Sequence, residues 1–467
     1  MVTELILSGL LLAFGCIYGS YLYNRNSTIS FPDISIILAV LYFGAGSWVS
    51  FIFGYRWEND YDSTLITILS FVGIYLFILG LICSKIFPLK TIREGQFTHG
   101  GHRSSIFYFP VKAEGLKLIW ILLSVFLIWI LRFYDWSIGA GVSSTETFEV
   151  VMSKPYPIVI IDALFRPLNY VILMYAIMQI VSPLRKNYLW LIYIALEVGF
   201  MALQGRRDLF ELCLIILFCY YSVFARVRLK ILLPISIFAV CIFTVFSPFF
   251  LIFRDVVRTE SQGFSEASIY QAISTAISDS RVADQVKLQE RSENNIQGRS
   301  RSNIRWTKTV LNGQISNQPL MGEVAFSGAM STLPRFLRPY KYWGDNAAVI
   351  QRNYGIGYGD VSDNFVANGI ADFSLIGPFI YGLVIGLTLN FLFSRALCLA
   401  ADNLLLAALL FVWIWNFSIN TEISMTAYFA LWRGVLILWL IGGMMSLMGI
   451  NTGHVKSNII VARGNQT

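Results

Sequence analysis

Long apolar runs, separated mostly by short polar connections, recur along this chain. They fall at 3–23, 32–54, 65–87, 116–134, 157–182, 188–204, 208–225, 231–253, 374–394, 402–418 and 425–448. Several are long enough to cross a hydrocarbon core of about 30 Å. In lipid a spanning segment must satisfy its own backbone, so these runs predict helices. A β-barrel would need short alternating segments, whereas these are apolar on every face. The pattern therefore predicts an all-α polytopic membrane protein of about eleven transmembrane helices. Pro155, Pro157 and Pro167 crowd the first half of the fifth run, the least regular of the set. No internal repeat or low-complexity tract emerges.

Basic residues orient the predicted bundle. The connection 88–115 holds Lys90, Arg93, Arg103 and Lys112, which places it in the cytoplasm. Counting from it puts Arg185 and Lys186, then Arg226, Arg228 and Lys230, on the same side. The acidic hairpin with Glu58, Asp60 and Asp62 falls outside, as does the stretch with Glu146 and Glu149. The N-terminus is then outside, and the tail with Lys456 and Arg463 inside. Four regions follow: 1–253 with about eight spans, a large external region 254–373, 374–448 with about three spans, and a cytoplasmic tail 449–467. No short basic leader with a small-residue cleavage site is visible, so the first run reads as a retained span.

Composition agrees with this class. The 467 residues are 56% hydrophobic and 13% charged, against about 25% charged in soluble domains. The net charge of +7 follows largely from the inside bias and gives no case for nucleic-acid binding. Cys83, Cys213, Cys219, Cys241 and Cys398 are scattered in or beside apolar runs. They have neither zinc-ligand spacing nor a disulfide framework.

What the topology does not require is the pair Arg206 and Arg207, with Asp208 beside it, at the predicted outer face. A guanidinium stays charged when partly buried, and its planar fork suits the oxygens of a phosphate or diphosphate. The pair also suits plain snorkelling to headgroups. The region 254–373 is too polar for lipid and too long for a passive connector. Its first half, Arg254 to Arg305, is rich in Ser, Gln, Asn, Arg and Glu, which fits surface-lying amphipathic helices or a mobile segment. Its second half interleaves Arg335, Arg338 and Lys341 with Tyr342 and Trp343. The glycine-rich YGIGYGD, Tyr354 to Asp360, then leads through NGIADFSLIG into the ninth span.

Aromatic faces suit sugar C–H surfaces. Lys341, Tyr342, Trp343, Tyr354, Tyr358 and Asn368 therefore form the candidate substrate-binding set. Gly355, Gly357 and Gly359 are not a P-loop, since no GK[ST] follows. Asp360, Asp363 and Asp372 are too loosely spaced to define a metal site, and neither metal nor cofactor is expected. Glu197 and Glu211 flank the arginine pair inside predicted spans, where a carboxylate needs a partner or a cavity. A structural ion pair and a catalytic role are both open there. His99, His102 and His454 all fall on predicted cytoplasmic segments, so external chemistry would not use a histidine base.

Three stretches carry a resemblance to a known family: LQGRRDLFELCLIILF (Leu203 to Phe218), LPRFLRPYKYWGDN (Leu333 to Asn346) and GDVSDNFVANGIADFSLIGPFIYGLVIG (Gly359 to Gly386). With the many spans and a large late external loop, the chain resembles the O-antigen and capsule repeat-unit polymerases of bacteria. These are the Wzy-type oligosaccharide polymerases, in the broad group that includes the enterobacterial common antigen polymerase. The resemblance implies a GT-C-like polymerase/ligase architecture in the inner membrane, with chemistry at the periplasmic face. The implied partners are an undecaprenyl-diphosphate-linked oligosaccharide donor and acceptor, the surrounding membrane lipids and, in some systems, a chain-length regulator. Arg207 fits the family's Gly–x–Arg position, with Arg206 beside it, and Arg335 and Arg338 fit its loop arginines. The related ligases are expected to use an external histidine, which this chain lacks on its predicted outer face.

The chemistry follows from charge. Departure of the carrier builds negative charge on a diphosphate, which fixed guanidinium groups stabilise most in the transition state. Glu211, Asp345 and Asp360 are the candidate acceptors of the hydroxyl proton. The competing expectations are an O-antigen ligase-like glycosyltransferase, a flippase or transporter of lipid-linked oligosaccharide, and a non-catalytic membrane scaffold.

Overall fold

The computed structural model describes residues 2–24, 30–52, 63–86, 118–137, 155–181, 189–204, 212–213, 215–216, 302–333, 346–357, 363–402, 404–419 and 424–447. The regular elements among them are all helical. In the first part they are α1 (Val2–Asn24), α2 (Phe31–Val40), a π turn (Leu41–Ala45), α3 (Gly46–Ile52), α4 (Thr64–Ser84), α5 (Leu118–Ser137), α6 (Tyr156–Val181) and α7 (Leu189–Gln204). After these come α8 (Ser302–Ser316), α9 (Glu323–Ser331), α10 (Asn346–Tyr354), α11 (Phe365–Phe373), a 3-10 turn (Ser374–Ile376), α12 (Gly377–Asp402), α13 (Leu404–Ile419) and α14 (Met425–Leu447).

The first six and last three expected spans coincide with helices. The second is built from three pieces around the π turn. The ninth begins at Gly377 because Ser374–Ile376 forms a separate turn. Of the seventh only four positions are described, and the eighth lies outside the described residues. Val2–Leu22, Phe31–Ile52, Thr64–Ser84 and Phe365–Ala396 are long and apolar enough to cross a membrane. Large side chains such as Ile17, Ile52 and Leu189 are 70% or more exposed. That is the surface expected of a multi-pass bundle whose outer solvent is lipid.

Polar ties fix the direction of the first three spans. At one end Ser47 Oγ donates to Glu4 Oε1 at 2.9 Å. At the other, Asp33 accepts from Tyr18 and from Lys85, the latter at 2.5 Å. The same carboxylate accepts from Ser30 N at 2.7 Å, closing the first turn of α2, where Pro32 needs no backbone donor. Ser63 Oγ accepts from Ile66 N and starts α4 in the usual way. Each span thus runs antiparallel to the one before it.

The late helices do not simply rest on the end of this bundle. Phe365, which opens α11, stacks on Phe77 with ring centroids 6.3 Å apart. Counted from Thr64 to Phe77, that contact lies about 20 Å along α4 at 1.5 Å per residue. From there α11 rises, the chain turns at Ser374–Ile376, and α12 descends beside α4. Gly382 and Gly386 allow that descent. A Cβ at Gly382 would lie 2.1 Å from the Phe77 carbonyl oxygen, and one at Gly386 would lie 2.2 Å from Ser84 Oγ. Small residues four apart let helices approach this closely.

Candidate functional site

The hairpin of α11 and α12 gathers polar groups that a span would ordinarily exclude. Asn364, Asn368 and Asp372 recur every fourth residue along α11, and all three are buried. This period puts them on one face. At its lower end, Asn364 Oδ1 accepts from Ala367 N at 2.9 Å and caps the helix. Its Nδ2 donates to the Asn303 carbonyl at 3.4 Å, and Thr307 Oγ1 lies 3.5 Å from its Oδ1. At the top, Ser374 Oγ donates to Gln314 Oε1 at 3.3 Å. The face therefore looks onto α8, which runs parallel to α11.

Asp372 performs a task that local sequence leaves undone. Gly322, the residue before α9, has no side chain to satisfy that helix's first N–H groups. The Asp372 carboxylate accepts from Val324 N at 2.9 Å and from Ala325 N at 3.0 Å. It also accepts from the Tyr381 hydroxyl. The chain beside it is bridged by Leu320 N to the Ala371 carbonyl and Met321 N to the Asp372 carbonyl, both at 2.9 Å. Between the two anchored ends, Asn368 is fully buried, and neither Oδ1 nor Nδ2 has a hydrogen-bond partner among the described residues. Native interiors rarely leave both ends of an amide unmet.

Below Asn368 the turn into α11 borders a crevice of about 30 Å³. Ser35, Phe43, Phe77, Asn364, Ile385 and Ser418 line it. Phe43 belongs to the π turn, an element that recurs at functional sites. This volume suffices for a water molecule, not for a sugar.

A second polar network lies between α5, α6 and α7. Arg132 grips Glu197 through two parallel bonds of 2.6 and 2.8 Å. Asn169 Nδ2 donates to the same carboxylate at 3.0 Å, and Tyr193 donates to Asn169 Oδ1 at 2.8 Å. The guanidinium lies 3.7 Å from the Phe200 ring centroid and 5.0 Å from that of Trp129. Of the two roles open for Glu197, the structure supplies the ion pair.

A third feature concerns the cationic–aromatic run. Thr426 on α14 holds the described residues on both sides of it. Ser331 Oγ donates to Thr426 Oγ1 at 3.1 Å, and Thr426 Oγ1 donates to Asn346 Oδ1 at 3.2 Å. One hydroxyl thus ties the chain just before Leu333 to the chain just after Asp345.

Of the expected site residues, Tyr354 and Asn368 are described, and the structure brings them to one helix. The Tyr354 hydroxyl donates to the Ala371 carbonyl at 2.9 Å, one turn beyond Asn368. Burial, then the nearby Asp372 charge, pushes the Tyr354 hydroxyl up to about 12, so it stays a donor at neutral pH. Arg206, Arg207, Glu211, Arg335, Arg338, Lys341, Tyr342, Trp343, Asp345, Tyr358 and Asp360 lie outside the described residues. Sequence reasoning missed Arg132, Asn364 and Thr426. Glu197 signalled that a partner must exist, but nothing in the spacing selects Arg132 for it. Among the described residues no group of three His, Cys, Asp or Glu side chains is placed to hold a metal. No family model, curated protein or solved structure matches this chain. The site is therefore read from its own residues.

Proposed function

We propose that this chain polymerises oligosaccharide repeat units carried on undecaprenyl diphosphate, by glycosyl transfer at the periplasmic face of the bacterial inner membrane. The observation that carries the reading is the Thr426 tie. It ties the residues that flank the run containing Arg335, Arg338 and Lys341, Ser331 before it and Asn346 after it, to one membrane helix. The resemblance of that run, and of the Gly205–Arg207 turn, to the repeat-unit polymerases supports the same assignment. In the reaction, the bond between the donor's anomeric carbon and its diphosphate oxygen breaks as a bond to the acceptor hydroxyl oxygen forms. The hydroxyl proton passes to a carboxylate, for which Glu211, Asp345 and Asp360 are the candidates. Arg207 with Arg335 or Arg338 stabilises the departing diphosphate. Losing one such donor costs roughly 2–4 kcal/mol of barrier, by analogy with an oxyanion hole.

Polymer length in cells tests this. Arg207→Ala and Arg335→Ala, at membrane levels matched to the unaltered protein, are expected to leave single repeat units unextended. A normal ladder in both would overturn the assignment.

A transporter of the same lipid-linked oligosaccharide is the second reading, and one observation favours it. The α11–α12 hairpin breaks at Ser374–Ile376, and its lower end meets the π turn at the crevice deep beside α4. A helix that begins at that depth, as α11 does, is a transporter feature. Elongation of a defined lipid-linked repeat by purified protein in detergent, with no second compartment, separates the two.

A further inference from the structure

Two kinds of exposed surface occur at one level of this bundle. On α4, Leu65, Ile68, Val72 and Leu79 are 62%, 40%, 38% and 46% exposed. They follow one another by three, four and seven positions, so they share a face about 21 Å long. Ile6 and Leu10 of α1, both 57% exposed, form a second such flank. Over lengths like these, an exposed apolar face of a span is what lipid covers.

Helix α8 lies at that level and shows the opposite. Its foot is tied to α11 by Asn364, whose Nδ2 donates to the Asn303 carbonyl. There α11 begins, with Phe365 stacked on Phe77, between Val72 and Leu79. The pair of Lys308 and Glu4 ties α8 to α1, two positions from Ile6. Its far end meets Ser374 through Gln314. Ile304, Lys308 and Leu311 are buried. Arg305, Thr309, Asn312 and Ser316, spaced four, three and four apart, form another face. Arg305 and Ser316 are exposed, and Thr309 and Asn312 are half-buried. Thr309 Oγ1 donates to the Arg305 carbonyl at 2.9 Å and Ser316 Oγ to the Asn312 carbonyl at 3.3 Å. All four members of this stripe are polar, and it runs for about 16 Å.

On a helix above the membrane such a stripe would be an ordinary wet face. Here it stands level with the lipid-facing residues of α1 and α4, where exposing a guanidinium, an amide and two hydroxyls to hydrocarbon is costly. One level of the bundle thus meets two solvents. We infer that α8 walls a water-filled recess that opens at its Ser316 end. The recess reaches down to Arg305, about 20 Å below the start of α4, and gives hydrophilic solutes a route to the foot of the α11–α12 hairpin. Its wall has one guanidinium and no carboxylate, which suits neutral and anionic solutes over cations. The recess depends on the spans alone, not on the reaction proposed above.

Single added cysteines in the full-length protein, held in phosphatidylcholine nanodiscs, test this with the membrane-impermeant anion sulfonatoethyl methanethiosulfonate. Labelling is read above that of the unaltered chain, on variants whose melting temperature matches it. Thr309→Cys and Asn312→Cys should react within about tenfold of Ser316→Cys, and Val72→Cys and Leu10→Cys at least about a hundredfold more slowly, because a thiol facing lipid does not ionise. Rates should fall from Ser316 through Asn312 to Thr309. Thr309→Cys and Asn312→Cys as slow as Val72→Cys overturn the recess. Val72→Cys as fast as Thr309→Cys does so too, since the whole level would then lie in water. A reversed order of rates overturns it as well, because solvent would enter from the opposite end. If Thr309→Cys fails to fold, Asn312→Cys carries the same comparison. Fast labelling at Thr309 in a protein that extends no repeat units would sink the polymerase reading and leave the recess standing. Extension with slow labelling would do the reverse.

Discussion

Lys308 and Glu4 stand 304 positions apart in the chain and meet with Nζ 2.5 Å from Oε2. Both side chains are buried, at 3% and 1% exposure, and Ser47 Oγ also donates to the carboxylate. This pair joins the polar half of the chain to its first span. Removing one partner leaves an uncompensated buried charge, at a cost of about 3–5 kcal/mol. Lys308→Met alone and Glu4→Gln alone should each lower the melting temperature in detergent sharply. The double substitution should recover much of that loss, because no lone charge remains. Additive losses would show that the two residues do not act as a pair.

Arg132 and Glu197 invite the same test with a functional readout. Arg132→Ala strands Glu197 in a buried setting, whereas Glu197→Gln keeps the bond from Asn169. The first should destabilise by about 3–5 kcal/mol and the second by less. Where Glu197→Gln protein reaches the membrane, chain lengthening should persist, since the carboxylate serves the ion pair. Loss of lengthening with an unchanged melt would instead give Glu197 a chemical role.

Asp372 should act as a cap supplied from a distance. Asp372→Ala removes the acceptor for Val324 N and Ala325 N, a cap worth about 1 kcal/mol. It also strands the Tyr381 hydroxyl, at about 1–3 kcal/mol. Amide exchange at Val324 and Ala325 should accelerate, with the rest of α9 unchanged. Tyr381→Phe should leave those two amides protected, which separates the cap from the hydroxyl.

The two arms of the hairpin touch backbone to backbone at Gly369 and Gly377. A Cβ at Gly377 would lie 1.9 Å from the Gly369 carbonyl oxygen. Gly377→Ala should therefore cost about 1–3 kcal/mol or more through overpacking and reduce the monodisperse fraction on size exclusion. Gly199 is the control, a helical position with nothing within 4 Å of the added atom. Gly199→Ala should be neutral or stabilise by about 0.5–1 kcal/mol.

These contrasts show what the sequence disclosed and what it hid. Spans such as 64–84 were legible because lipid demands a long apolar run and tolerates little else. Glu197 was legible as a problem, since an intramembrane carboxylate requires an answer. Asn364, Asn368 and Asp372 were not legible as a buried row. Polar residues every fourth position look like the wet face of a surface helix, and only the arrival of α8 and α9 turns that face inward. Lys308 was equally opaque, because one lysine among many in a polar stretch carries no mark of a partner three hundred residues upstream. Eleven of the residues expected to carry the chemistry lie outside the described structure, so their roles continue to rest on pattern and charge.

The π turn at Leu41–Ala45 inserts one surplus residue into the second span. Each residue of an α-helix advances the azimuth by about 100°, so the surplus offsets everything after it by that angle. Ser35 and Ala39 can then aim at the crevice while Ser47, on the same rod, aims at Glu4. Excising a single residue from 41–45 would keep the hydropathy intact yet swing Ser47 off its carboxylate. The bulge works as an angular shim that lets one rod serve two neighbours.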